Sequence, residues 1–421
     1  MNKLFKLLFD YYFVLWVFSY FICIFVHFSP VLFMGLINIF LAIGFFISEV
    51  TKNNSIKKDG LIVLVFIGWL LLSFLLSTVL NGISVSFQSA IYVFSPLVLL
   101  FYGGKYGKCR TFWRNFIVGI VFNNVFGIIC FYTKASFFVS YLENYSEYGL
   151  EQVMHHSGYG RLVTFFGCIE TAILSAFGVI ACLWFLITNC QKKVFAVISM
   201  IVNMSALILT QQRGPLFAVA FCLLFVLLYS LFKKRLIKIK YIFFLFLAIF
   251  GVMGILFIYK NTVFTWIIER ISNPASAFEE RYDYQFDILT QNSLIEWIIG
   301  RGVGSLGFFV ENSTKQTRIF DQMYFNMIGE IGIIGSLLFL IICLKTIRPF
   351  LKNVRGLFGP FFIVMVVLID GLGTTLSYYM PIMPIFWVSI GMLLINKEVK
   401  KVHTYIEKPV ISKDNFCINN T

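Results

Sequence analysis

Residues 61–80 read LIVLVFIGWLLLSFLLSTVL, twenty positions without a charge. A helix needs roughly 20 apolar residues to cross the hydrocarbon core of a bilayer, and in lipid it satisfies its backbone hydrogen bonds internally. A barrel strand would be about half as long and would alternate apolar with polar side chains. This run does neither, so it predicts a membrane-spanning helix. Similar stretches lie on both sides of it, at 11–28, 31–48, 88–103, 115–133, 161–188, 194–210, 215–232, 241–259, 322–344, 357–376 and 381–396. The pattern predicts an all-α polytopic membrane protein with about 12 transmembrane helices.

The composition points the same way. Of 421 residues, 59% are hydrophobic and 13% are charged, against about a quarter charged in soluble domains. One soluble core could not hide 51 Phe. A soluble enzyme, a secreted disulfide scaffold and a disordered chain are excluded. The net charge of +14 has two sources to choose between: a nucleic-acid footprint or the bias of Lys and Arg toward cytoplasmic loops. Position decides. With the N-terminus inside, 25 of the 34 basic residues fall in inner segments; the other nine are Lys134, Arg161, Arg213, Lys260, Arg270, Arg281, Arg301, Lys315 and Arg318. Both termini come out cytoplasmic, and no nucleic-acid partner is inferred.

The first span is too long for a signal peptide and has no small-residue cleavage site, so a retained helix is expected. All nine Cys lie in spans or inside, so no structural disulfide is expected in the outer loops. No zinc spacing, P-loop or dinucleotide-binding glycine motif is present, which argues against ATP-driven chemistry, a metal or a cofactor. The chain reads as one integral membrane domain, 1–421, with a moderate outer loop at 134–160 and a long outer loop at 260–321 that carries surface helices. No repeat relates the two halves.

Six of the nine outer basic residues are Arg, whereas only five of the 25 inner ones are. Lys suffices for orientation; Arg offers a planar, always-charged fork that suits two phosphate oxygens. The bias points to an anionic head group such as a lipid-linked pyrophosphate. Arg213 sits in Gln211-Gln212-Arg213-Gly214-Pro215, a very short turn between spans. It is either an arginine snorkelling to the interface or a phosphate ligand. Arg161 opens a span after Gly158-Tyr159-Gly160, near His155 and His156, which have no partners at metal-ligand spacing.

In the long loop, Arg270 follows Trp266-Ile267-Ile268-Glu269, and Phe278, Tyr282, Phe286 and Leu289 recur at helical spacing. The spacing predicts a surface helix with Arg281 and Gln285 on a neighbouring polar face; Arg281 is either aimed at the head groups or paired with a nearby acid. Gly300-Arg301-Gly302-Val303-Gly304-Ser305-Leu306-Gly307 is a glycine-rich turn of the kind that can cradle an anion. Asp321 precedes a span and can act as an N-cap, a catalytic group or both. Glycines 329, 332 and 335 would let helices pack closely.

These segments resemble the O-antigen polymerase and O-antigen ligase superfamily, the Wzy-type membrane glycosyltransferases. The resemblance rests on Arg161 leading into Phe165-Phe166-Gly167, on Gln212-Arg213-Gly214, and on Gly300–Gly307 followed by Asp321-Gln322, nine residues, and Gly332-Ile333-Ile334-Gly335. Ligases carry a His where this chain has Asp321, which favours a polymerase. The resemblance implies transfer of a glycan from undecaprenyl pyrophosphate to the non-reducing end of another lipid-linked repeat unit. The reaction would occur on the periplasmic face of the bacterial inner membrane, without cofactor or metal. It implies Arg213, Arg281 and Asp321 as catalytic, with Arg161, Arg301, Arg270 and Tyr324 binding substrate. Membrane lipid, the lipid-linked oligosaccharide and a chain-length regulator protein are the implied partners. The alternatives are a ligase acting on lipid A-core and a flippase for the same lipid-linked sugar.

Overall fold

The structure is a computed structural model that describes residues 2–23, 26, 29–50, 58–145, 161–188, 193–232, 283, 285–306, 322–376 and 379–395. In chain order its helices are α1 (Asn2–Asp10), α2 (Tyr12–Cys23), α3 (Pro30–Val50), α4 (Lys58–Asn81), α5 (Ile83–Phe94), α6 (Val98–Tyr106), α7 (Arg110–Thr133) and α8 (Ser136–Tyr145). They continue with α9 (Cys168–Ile187), α10 (Lys193–Thr210), α11 (Arg213–Phe232), α12 (285–290), α13 (Leu294–Ile299), α14 (Met323–Lys345), α15 (Ile347–Lys352), α16 (Val354–Asp370) and α17 (Met383–Leu394). No strand occurs among the described residues, apart from one isolated bridge between Thr164 and Gly167. Among the described residues, seven helical segments are long and apolar enough to cross a bilayer, or eight if α1 and α2, bent by 62°, form one span. The chain is an all-α membrane protein. The expected span at 241–259 lies outside the described residues.

Helix α4 shows how the quoted run is used. Val63, Phe66, Leu70, Ser73 and Ser77 are buried at intervals of three and four, while Leu61, Val65, Leu71, Leu72, Leu75 and Val79 are exposed. Such an apolar flank is untenable in water and natural in lipid. Helix α9 is the opposite case: its apolar window is 89% buried, against 28% for α4. It packs against α7, α10, α11 and α16 and forms the middle of the bundle.

The spans differ from the apolar stretches where backbone chemistry intervenes. The stretch 88–103 is broken by a 3-10 turn, Ser95–Leu97, because Pro96 cannot donate to a helical ladder. The stretch 161–188 is helical only from Cys168 on. Residues 161–166 are non-helical and largely buried, with Phe165 and Phe166 in a turn closed between Thr164 and Gly167, and Gly167 takes a φ of 93° as N-cap. Leu162 N donates to Leu209 O at 3.0 Å, tying this segment to the end of α10. Hydropathy cannot distinguish a buried non-helical segment from a helical one, so Arg161 lies seven residues ahead of the helix it was expected to open.

Helices α7, α9 and α10 are joined by buried amides and hydroxyls. Asn124 Nδ2 donates to Ser175 Oγ at 2.9 Å and to Asn203 Oδ1 at 2.8 Å. Asn123 Nδ2 donates to Thr164 Oγ1 at 3.0 Å, and Thr164 and Thr171 share a 2.6 Å hydrogen bond. Hydrogen bonds of this kind between membrane helices contribute about 0.6–2 kcal/mol each. They hold the non-helical 161–167 segment against the bundle.

Candidate functional site

Four helix ends and the non-helical segment meet at one end of the bundle, the end that the charge pattern assigns outside. Helix α10 stops at Thr210 because Gln211 takes a left-handed φ of 57°, a conformation that strains a non-glycine residue. The chain turns at once into α11, which starts at Arg213. Gln212 Nε2 lies 3.6 Å from Cys168 Sγ, and Cys168 Sγ lies 3.5 Å from Thr210 O. Arg161 is close enough to Cys168 to act on it electrostatically. The two arginines picked from separate apolar stretches therefore stand on adjoining segments; Arg161 is half-buried and Arg213 exposed.

Gly214 brings in a third element. A Cβ there would collide with Oδ1 of Asp370 and stand 3.3 Å from its Cα, so only glycine lets the end of α16 approach so closely. Asp370 is 5% exposed, and its Oδ2 has no hydrogen-bond partner. The next residue, Gly371, accepts from Met323 N at 3.1 Å, which joins the start of α14. Asp370 lies within the apolar stretch 357–376 and was given no role from sequence. The signal that could have found it is an acid within an apolar run, which is costly unless used.

The other sequence candidates fall elsewhere. Asp321, Arg281 and Arg270 lie outside the described residues, although Asp321 immediately precedes Gln322 at the start of α14. Tyr324 is tied down by its hydroxyl, which donates to Leu368 O at 2.6 Å. Arg301 is set apart by the glycine-rich turn. Helix α14 breaks at Gly332 (φ 71°, ψ 178°), and the turn docks into the break. Arg301 N donates to Gly329 O at 2.8 Å and Gly302 N to Glu330 O at 2.9 Å. Trp69 Nε1 donates to Ile331 O at 2.8 Å.

Those amides complete a helix ladder, so they are not available to cradle an anion, and this corrects the expectation for the turn. The three turn glycines have φ of 84°, 96° and 85°, and a Cβ on Gly302 would meet the Cα of Ser77. Glycines 329 and 335 do permit close packing, against Leu306 and Trp69. Arg301 itself faces Glu296, Nε to Oε1 at 3.5 Å. Glu296 closes a capping box with Ser293, and the Ser293 backbone N–H, followed by its hydroxyl and by Arg301, holds the Glu296 carboxyl below its ordinary value.

The surface helix is observed in part, over 285–290: Leu289 of the expected apolar face is buried, but Phe286 of that face is 54% exposed and Gln285 of the expected polar face is buried. The buried side is decided by the neighbours, Leu306 and α14, which spacing alone cannot show. Among the described residues no three His, Cys, Asp or Glu side chains gather where they could hold a metal ion.

Neither a protein-family model nor a curated protein sequence matches this chain.

Proposed function

We propose that the protein is a membrane glycosyltransferase that polymerises lipid-linked glycan repeat units. In this reading it has twelve spans with both termini in the cytoplasm of a bacterium, and it works on the periplasmic face of the inner membrane. The observation that carries the reading is the corner where Arg161, Gln212-Arg213-Gly214 and Asp370 adjoin the start of α14. The segments that carry two permanent cations and a buried acid adjoin there, where in this reading a lipid-linked substrate enters from the bilayer.

The chemistry follows from those charges. A hydroxyl at the non-reducing end of the acceptor attacks the anomeric carbon of the donor. The bond from that carbon to the pyrophosphate oxygen breaks, and undecaprenyl pyrophosphate departs with the electron pair. Arg161 and Arg213, joined by Arg281 from the long loop, stabilise the developing negative charge; preorganised donors of this kind commonly contribute about 3–4 kcal/mol each to the barrier. Arg270 and Arg301 serve as secondary contacts, Arg301 only after leaving Glu296. The acceptor proton goes to a carboxylate, Asp321 or Asp370. Asp321 in place of a ligase histidine favours polymerisation over transfer to lipid A-core. The absence of paired sequence halves and the long outer loop disfavour a flippase.

The test replaces Arg213 by Ala and by Lys in the native host, with protein level controlled, and displays surface glycan on a gel. Arg213→Ala should reduce the ladder to a single repeat unit and Arg213→Lys should restore part of it. A full ladder from Arg213→Ala removes this residue from the reaction. Deletion of the gene separates the alternatives: single-unit glycan for a polymerase, no surface glycan for a flippase, stranded long polymer for a ligase.

A further inference from the structure

Three polar side chains beside the corner are buried with unused hydrogen-bonding atoms. Asn326 is 1% exposed and neither its Nδ2 nor its Oδ1 has a partner; Gln285 is 2% exposed with Oε1 unpaired; Ser305 is 5% exposed with Oγ unpaired. They come from three elements that meet at one place. A Cβ on Gly329 would strike Leu306 and stand 3.4 Å from Leu289, so α12, the glycine-rich turn and α14 converge there. Ser305 precedes Leu306. Gln285 lies one helical turn before Leu289, and Asn326 lies three residues before Gly329 on the same flank of α14. Met323, one turn before Asn326, packs against Gly371.

We propose that Asn326, Ser305 and Gln285 form a subsite for a neutral sugar, the acceptor end of the glycan, next to the arginines that hold the pyrophosphate. The proposal rests on the polymerase reading for the word acceptor, but the sugar chemistry rests on the side chains themselves. Buried polar atoms are nearly always paired, so three unpaired ones converging from separate elements need a partner, and a ligand would supply it. The set is uncharged and combines donors with acceptors, as the hydroxyls of a sugar require; a phosphate would want cations instead. The neutral set lies along α14 one turn from Met323, the residue that meets Gly371.

The stability of the empty protein tells this role from a structural one. A structural polar group is lost at a cost to folding, whereas an unpaired buried one can be replaced by an apolar isostere with no loss or a gain. Asn326→Leu should therefore leave the thermal midpoint of the purified full-length protein unchanged or raised by roughly 1–3 °C. The binding probe is the single repeat-unit oligosaccharide freed of lipid and phosphate from the host's own surface glycan, followed by saturation-transfer NMR. The wild type should bind it. Asn326→Leu should weaken it at least tenfold, Gln285→Leu and Ser305→Ala should weaken it less, and inorganic pyrophosphate should not compete.

Wild-type-like binding by Asn326→Leu overturns the subsite, as does a midpoint that falls in step with binding. If deletion of the gene leaves surface glycan unaltered while these variants still lose the oligosaccharide, the polymerase reading fails and the sugar subsite stands. If deletion shortens the glycan while the variants bind normally, the subsite alone fails.

Discussion

Two arginine–glycine segments of this chain look alike on paper and serve different ends. In Gln212-Arg213-Gly214, the glycine lets the end of α16 press in, which brings the buried Asp370 against the residue after Arg213. In Gly300-Arg301-Gly302, the glycines let the backbone press into the break of α14, and the arginine turns to a carboxylate only five residues back. The first brings four helix ends together; the second completes a broken helix. The difference lies in where the backbone N–H groups go. Around Arg301 they are taken by Gly329 and Glu330 carbonyls, which the kink at Gly332 leaves without their usual partners. A glycine-rich turn whose amides are already engaged is scaffolding, whatever its likeness to an anion loop.

That contrast can be broken most forcefully at the glycines. Gly302→Ala puts a Cβ against the backbone of Ser77 at a φ of 96°, so it should lower stability by about 3 kcal/mol or more, read as loss of folded protein in detergent. Recovery of wild-type thermal stability would mean that the docking is not structural. Gly214→Ala should fold, because its collision is with the Asp370 side chain, but should shift that carboxylate and shorten the surface glycan as much as Asp370→Asn does. Full-length glycan from both would sever the corner from the reaction.

The arginines sharpen the comparison on a smaller scale. Arg301→Ala removes a part-exposed ion pair, and its effect on stability should stay within about 1 kcal/mol while the glycan ladder persists, unlike Arg213→Ala. Equal loss from the two variants would give the glycine-rich turn a share in catalysis. Ser293→Ala removes the cap of α13 and should cost about 1 kcal/mol in urea or thermal unfolding.

The smallest effect is one of pH. Glu296 is held below its ordinary value of 4.5, so its contribution is present above that value and is lost as the pH falls through its lowered folded value. Between about pH 5 and 8 the stability of α13 should not change through this group. A midpoint that drifts in that window with wild type and not with Glu296→Gln would contradict the assignment.

Legibility followed the length of the interaction. Apolar runs are local, and α4, α7, α10 and α11 stand close to their expected positions. The bends are also local where proline causes them, as at Pro96. Gly332 does permit the close approach expected of it, to the backbone of Ile298 and Ile299, but the break there was not legible, because its cause is about 30 residues upstream, in the turn that docks there. The 161–167 segment was read as helix because its side chains are apolar, while its true partners are Leu209, Asn123 and Thr171. At the candidate site, Arg161 and Arg213 were found by their residue type and flank. Asp370, Asn326 and Gln285 were not, since an acid within an apolar stretch and two amides acquire meaning only from what surrounds them.

What the amino-acid order determined without help is the solvent: long uncharged runs and sparse charge force helices into a bilayer, because burial in lipid depends on each segment's own composition and backbone. What only the tertiary structure decided is which helix ends touch, which glycines are gaps for a neighbour, and which polar atoms are left over. Those depend on side chains meeting from far apart in the chain, and no local pattern encodes the distance between Gly214 and Asp370.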